Sequence, residues 1–200
     1  MKNKNIFINL TNKKKGVKMR SIIEQYCKDL TAGRLTYGYD HSCRVYYYAK
    51  KLGDHYDDSI LHAASFLYKI ILGQNTKEDS ALRAESILSE IGFPVEKIYL
   101  IKNIILNTDP EDRPETIEGK LIHDAIIVDS LGAVGFARYS VGSFFWHKAQ
   151  KVQTIYEEYL NYFNIAVNNI LLPSTNEFIK KRIETSKIIL DELKNELNID

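Results

Sequence analysis

The stretch Glu118-Gly119-Lys120-Leu121-Ile122-His123-Asp124-Ala125-Ile126-Ile127-Val128-Asp129-Ser130-Leu131-Gly132-Ala133-Val134-Gly135-Phe136-Ala137-Arg138 decides how this chain is read. Its apolar content suits one long buried helix from about Glu115 to Leu131, running on through the Gly-Ala-Val-Gly segment to Arg138. The carboxylates Asp124 and Asp129, the imidazole of His123 and the guanidinium of Arg138 interrupt that apolar surface. Polar groups on a buried helix need partners, so this segment marks both a core and a candidate site.

Outward from it, spacings of three and four recur and period-2 alternation is almost absent. Upstream, a polar loop holds Pro110 and Pro114, and Pro94 opens a helix through Ile98, Ile101, Ile104 and Ile105. A helix with Ala81, Ala84, Ile87 and Leu88 on one side stops at Gly92, a usual C-terminal glycine. Another starts at the Asp57-Asp58-Ser59 cap and carries Ile60, Ala63, Ala64, Leu67 and Ile71, ending at Gly73 and Asn75. Helices from near Asp40 to Gly53 and from about Ser21 to Leu30 precede it. Downstream, two more cover Lys148 to Asn169 and Asn176 to Leu197, the last with a capping box of Ser174 and Glu177. The expectation is an all-α fold: a single bundle of about eight helices over residues 19–200, behind a flexible basic tail over 1–18.

Composition narrows function little. With 200 residues, 44% hydrophobic and 26% charged, the chain suits one soluble domain. A formal charge of +1 gives no field that favours nucleic acid or an anionic membrane. No stretch reaches the ~20 apolar residues of a membrane span. Residues 1–18 hold Ile6-Phe7-Ile8 and Lys13-Lys14-Lys15 but no long apolar core, which makes a poor signal peptide and leaves Met19 as a second candidate start. Cys27 and Cys43 form no C-x-x-C pair and read as reduced, partly buried thiols of a cytoplasmic protein.

Three segments in order resemble the HD superfamily of metal-dependent phosphohydrolases. Asp40-His41-Ser42-Cys43-Arg44-Val45, with Ala49 and Leu52, is similar to the opening H-x-x-R-V helix. Ala64-Ser65-Phe66-Leu67-Tyr68-Lys69-Ile70 is similar to A-x-L-L-H-D-I. The 118–138 stretch resembles the E-x-K-x-x-x-D-A-D-R-L-D-A-L-G-A-x-G-x-A-R run of a stand-alone bacterial and archaeal subgroup. Ser80-Ala81 and Ala84 to Gly92 resemble that subgroup's fourth helix, so the resemblance runs from about Ser21 to Leu197. It implies an HD-domain-like helical bundle and, ordinarily, a divalent cation that activates water and clamps a phosphate.

The resemblance also implies that the metal site is degenerate. His41 is kept, whereas Tyr68 and Lys69 stand where the histidine-aspartate doublet would be. Ile126 stands at the final aspartate position, and Thr108 where the subgroup often has a further histidine. Isoleucine has no lone pair, and a phenol is a poor neutral ligand. At ~4 Å a lysine ammonium would repel a cation by several kcal/mol. His123-Asp124 spells the doublet in the wrong segment, which leaves Asp124 a helix-stabilising or supporting role.

The expected reading is a pseudoenzyme with no metal or other cofactor. It would hold a nucleotide or other phosphorylated small molecule through Lys69, Arg44 or Arg138, or else a protein partner, with a homodimer possible in principle. Two alternatives remain. One is metal-free acid–base chemistry by His41, Tyr68 and Lys69; the other is an ordinary metal-dependent phosphohydrolase acting on nucleotides, through ligands such as His123 and Asp124. Asp40, with His41, reads as a general base or an anion anchor, and Arg44, Asp124, Asp129 and Arg138 are the other candidate ligand-binding residues, Asp129 and Arg138 also orienting the pocket. Lys69 is expected to pair with Asp124 or Asp129, and Tyr68 to fill the space of the lost metal. His55, His62 and His147 read as surface or packing residues. Phe144-Phe145-Trp146 reads as packed on the core, while an exposed version would mark a partner or dimer surface.

Overall fold

The computed structural model describes residues 2–198, with side chains from Gly16 onward. Nine α-helices and no strand occur among the described residues: α1 (Lys2–Leu30), α2 (Tyr39–Leu52), α3 (Asp58–Leu67), α4 (Thr76–Glu90), α5 (Val95–Leu106), α6 (Ile117–Ser130), α7 (Gly132–Gly142), α8 (Val152–Asn168) and α9 (Pro173–Glu196). A five-residue π-helical turn, Ser143–His147, continues α7. None of the helices is long and apolar enough to cross a membrane. The segment read as a tail, residues 1–18, is helical in its backbone from Lys2, so α1 begins well before Ser21. Met1 and the side chains of Ile6-Phe7-Ile8 and Lys13-Lys14-Lys15 lie outside the described residues.

α6 is the axis. Every residue from Leu121 to Asp129 is buried, as a helix surrounded on all sides requires. It packs against α2, α3, α7 and α9. α2 turns toward it one face built from His41, Ser42, Val45, Tyr48, Ala49 and Leu52, the three-and-four spacing of an amphipathic helix. α3 starts where the sequence places its cap: the Asp57 carboxylate accepts from the amides of Ser59 at 2.9 Å and Ile60 at 3.3 Å.

Three local expectations are corrected. α3 does not run to Ile71 but ends at Leu67, because distant groups capture the following backbone. Arg34 donates to the carbonyls of Lys69 and Ile70 at 3.2 and 3.1 Å, and the Ser80 hydroxyl bonds both the amide and the carbonyl of Ile71. The expected Ser174–Glu177 box is absent because Pro173 opens α9 and Ser174 donates to the Leu52 carbonyl at 2.6 Å instead.

The third correction shapes the site. The expected continuous helix to Arg138 breaks at Leu131, which is extended, and at Gly132, whose φ of +79° is left-handed. Gly135 then crosses so close to α6 that a β-carbon there would lie 2.2 Å from the Ser130 carbonyl carbon. In one continuous helix residues 129 and 138 would stand ~13 Å apart along the axis. The break folds Arg138 back until its Nη1 lies 2.6 Å from Asp129 Oδ2.

Candidate ligand pocket

The break, the early end of α3 and the turn after α1 enclose a cavity of about 910 Å³. The Thr36-Tyr37 turn, the Lys69-to-Glu78 segment and the Thr108-to-Pro110 turn form three sides. Ile126 and Ser130 of α6 and Tyr162 of α8 contribute behind them, and one face of α7 with its π-turn forms the remaining wall. The volume falls within the range of small-molecule sites.

Behind the inner end lies a buried polar cluster centred on Asp129. Its Oδ1 accepts from Arg44 Nε at 2.6 Å. Its Oδ2 accepts from Arg44 Nη2 at 3.2 Å, Arg138 Nη1 at 2.6 Å and His41 Nδ1 at 2.6 Å. Burial raises the Asp129 pKa, but the bonds from His41 and Arg44 outweigh it and hold the carboxyl below its ordinary value. Burial, with the nearby Arg138 charge, pushes His41 down to about 4 despite the Asp129 bond, so its ring is neutral near pH 7. With Nδ1–H donated to Asp129, the lone pair of His41 Nε2 accepts the hydroxyl proton of Tyr68. Tyr68 is fully buried, and its phenol pKa is raised well above the ordinary value by burial.

That neutral histidine carries a testable pH dependence. Its folded pKa lies below the unfolded value near 6.5, so the unfolded chain takes up the proton first. The associated stability is complete above pH 6.5 and is lost as pH falls towards 4, by on the order of 3 kcal/mol. The expected result is a melting temperature that declines between pH 7 and 4.5 with a smaller slope in His41→Asn. Equal slopes in the two proteins would contradict the assignment of this loss to His41.

Lys69 does not pair with Asp124 or Asp129. Leaving the helix early, it enters the cavity wall, where its ammonium lies 4.2 Å from the centroid of the Tyr37 ring and has no carboxylate partner among the described residues. Asp129 is already saturated, and Asp124 is committed elsewhere. Tyr37 has a left-handed φ of +50°, and the Lys69 ammonium, helped by Arg138, lowers its phenol pKa despite burial. Arg138 lines the cavity and keeps a buried Nε–H with no partner. Lys77 at the rim is balanced by Asp109 at 2.6 Å and Asp112 at 3.1 Å.

His41, Lys69 and Arg138 therefore line the cavity, as do Ile126 and Thr108. Tyr68, Arg44 and Asp129 stand behind this wall and hold it. Asp40 is exposed on the first turn of α2 and does not line the cavity. Asp124 is buried away from it, against the α8–α9 connection, and His123 Nε2 donates to the Pro110 carbonyl at 3.0 Å. Among the described residues no three His, Cys, Asp or Glu side chains converge as a metal-binding group would. His62 is a buried packing residue, His55 is exposed, and His147 lies at the cavity rim. Phe144, Phe145 and Trp146 do not pack on the core; each is more than half exposed. Sequence reasoning missed Tyr37, Tyr162 and the place of Trp146. The turn residues around Gly33 and Gly38 were the only signal near Tyr37.

Solved structures share this architecture. Bacillus subtilis YpgQ, crystallised in complex with ADP, is 20% identical with a TM-score of 0.73 over 91% of this chain and 96% of its own. A Lactobacillus plantarum protein is 19% identical, at 0.73 over 92% and 98%. An HD-superfamily hydrolase from Bacillus thuringiensis is 20% identical, at 0.65 over 93% and 100%. The chain shares with them an HD-domain-like helical bundle. No family model matches the chain, and no curated protein matches it either. In this fold the His41 helix, the Tyr68-Lys69 turn and the Asp129–Arg138 elbow come together at one cavity.

Proposed function

We propose that this HD-fold protein binds a phosphorylated small molecule, of the nucleotide class, in the cavity between α3, α6 and α7, without metal-dependent hydrolysis. The observation that carries the reading is unmatched positive charge at the cavity's inner end. Lys69 has no carboxylate partner among the described residues, and the guanidiniums of Arg44 and Arg138 share the one carboxylate of Asp129. An anionic group in the cavity would balance that excess, and charge-assisted bonds to phosphate are strong. The ADP bound to YpgQ agrees in ligand class.

The residues present do not fit a divalent cation. The His41 Nε2 lone pair that a metal would take is engaged by the Tyr68 hydroxyl, and its Nδ1–H is held by Asp129. Lys69 adds charge of the wrong sign, and Ile126 offers no donor. Metal-free acid–base catalysis by His41, Tyr68 and Lys69 is less well supported, since Tyr68 lies behind the wall and both nitrogens of His41 are occupied.

Calorimetric titration of the full chain with ADP and with pyrophosphate, in the presence of EDTA, tests this. Both ligands are expected to bind, and Lys69→Ala to weaken each about ten-fold or more, the worth of one hydrogen bond to a charged group. Phosphate release from nucleotides with added Mn²⁺ is expected to stay at background. Absence of binding, or turnover that requires a retained divalent metal, would overturn the proposal.

A further inference from the structure

The wall contributed by α7 and its π-turn has a pattern of its own. Gly135, Arg138, Tyr139, Gly142, Trp146 and His147 all line the cavity, spaced by three and four as one helical face requires. Backbone at Gly142 and Ser143 is helical, so this face is continuous from α7 into the turn. It is cationic at the buried end, bare at Gly142, and aromatic at the open end. Arg138 and Trp146 are eight residues apart, or ~12 Å along the axis.

Trp146 is the chain's single tryptophan and is 53% exposed. The core therefore does not account for its place. Phe144 and Phe145 meet each other edge to face and do not line the cavity, whereas Trp146 does. A β-carbon on Gly142 would lie 3.9 Å from Trp146 Cδ1 and 3.7 Å from Thr36 Cγ2, so the indole edge sits close to Gly142. Thr36 leads directly to Tyr37, whose ring carries Lys69 Nζ at 4.2 Å and Arg138 Cζ at 5.7 Å. The lining thus runs without interruption from the indole to Lys69 and Arg138.

We infer that Trp146 is a specificity residue that stacks on a planar ring of the ligand, while Lys69 and Arg138 hold an anionic group across a spacer that passes over Gly142. The chemical class is a phosphate ester joined to a planar heterocycle through a sugar-sized linker. This rests on the phosphorylated-ligand reading above and adds to it which end of the cavity reads which part of the molecule. Stacking on an indole tolerates many bases, so the site selects for a planar ring rather than for a hydrogen-bonding pattern.

Because the chain has one tryptophan, its emission reports this position alone. ADP is expected to change Trp146 emission on binding, and pyrophosphate to bind more weakly and leave emission nearly unchanged. Trp146→Ala is expected to weaken ADP about ten-fold with pyrophosphate affinity and melting temperature unaltered, and Trp146→Phe to restore most of the loss. If Trp146→Ala binds ADP as wild type does, or ADP binds without altering emission, the stacking role is wrong while the anion-binding reading stands. If neither ADP nor pyrophosphate binds, both fall together.

Discussion

Asp129→Ala is expected to cost about 3–5 kcal/mol of folding stability, the largest effect of any single substitution at the site. The carboxylate is fully buried, and its two oxygens hold Arg44, Arg138 and His41 at once. Truncation leaves two guanidiniums facing each other and the His41 Nδ1–H without an acceptor. Arg44 can turn towards water, since its side chain is 31% exposed, which places the loss nearer the lower end. Arg138 cannot escape in the same way. Its Nη1 also donates to the Asp129 carbonyl at 3.0 Å, and its Nε is already unpartnered. For a chain of this length the loss corresponds to a fall in melting temperature of about 10 °C. Asp129→Asn keeps an accepting oxygen and should cost clearly less. Urea unfolding of the three proteins checks this, and a loss below about 1 kcal/mol in the alanine variant would mean that water already screens the cluster.

The same cluster explains which parts of the site could be read from sequence. His41, Asp129 and Arg138 sit on helices whose apolar faces fix their direction, so resemblance in three segments carried them to one place. Tyr68 stays at the end of α3, where its phenol meets the histidine. Lys69, one residue further, was misplaced. Its direction depends on where α3 stops, and that is set by Arg34 and Ser80, 35 and 11 residues away in the chain. No local pattern encodes such a choice.

The elbow between α6 and α7 was hidden for a related reason. A glycine inside a helical pattern is tolerated at a cost of ~1 kcal/mol, so Gly132 alone did not announce a break. What enforces it is tertiary: Ser186 of α9 accepts from the Gly132 amide at 2.8 Å, and Arg182 donates to the Leu131 carbonyl at 3.2 Å. The aromatic run Phe144-Phe145-Trp146 was legible as hydrophobic but not as exposed. Exposure depends on what the rest of the chain leaves uncovered, and a π-helical turn has no sequence signature comparable to a cap.

Asp124→Ala is the second large effect, and it separates a structural aspartate from a displaced metal ligand. Asp124 is fully buried beside His123, whose Nδ1 lies 2.9 Å from its Oδ1. Its oxygens also accept from the amide of Leu171 at 3.1 Å, the amide of Leu172 at 2.9 Å and the hydroxyl of Thr175 at 2.7 Å. These groups form the connection from α8 into α9, where Pro173 leaves the start of α9 without a side-chain cap. The carboxylate from α6 thus does the capping from a distance, tying the last helix to the central one. Its removal strands two amides, a hydroxyl and the His123 ring in a dry interface, for an expected loss of about 3–5 kcal/mol. Hydrogen exchange should show Leu171 and Leu172 losing protection before the core of α6. If His123 and Asp124 instead bound a metal, EDTA would lower the melting temperature of the wild-type protein and leave Asp124→Ala unmoved. The capping role requires the opposite: EDTA without effect on wild type, and a variant destabilised to the same degree with or without chelator.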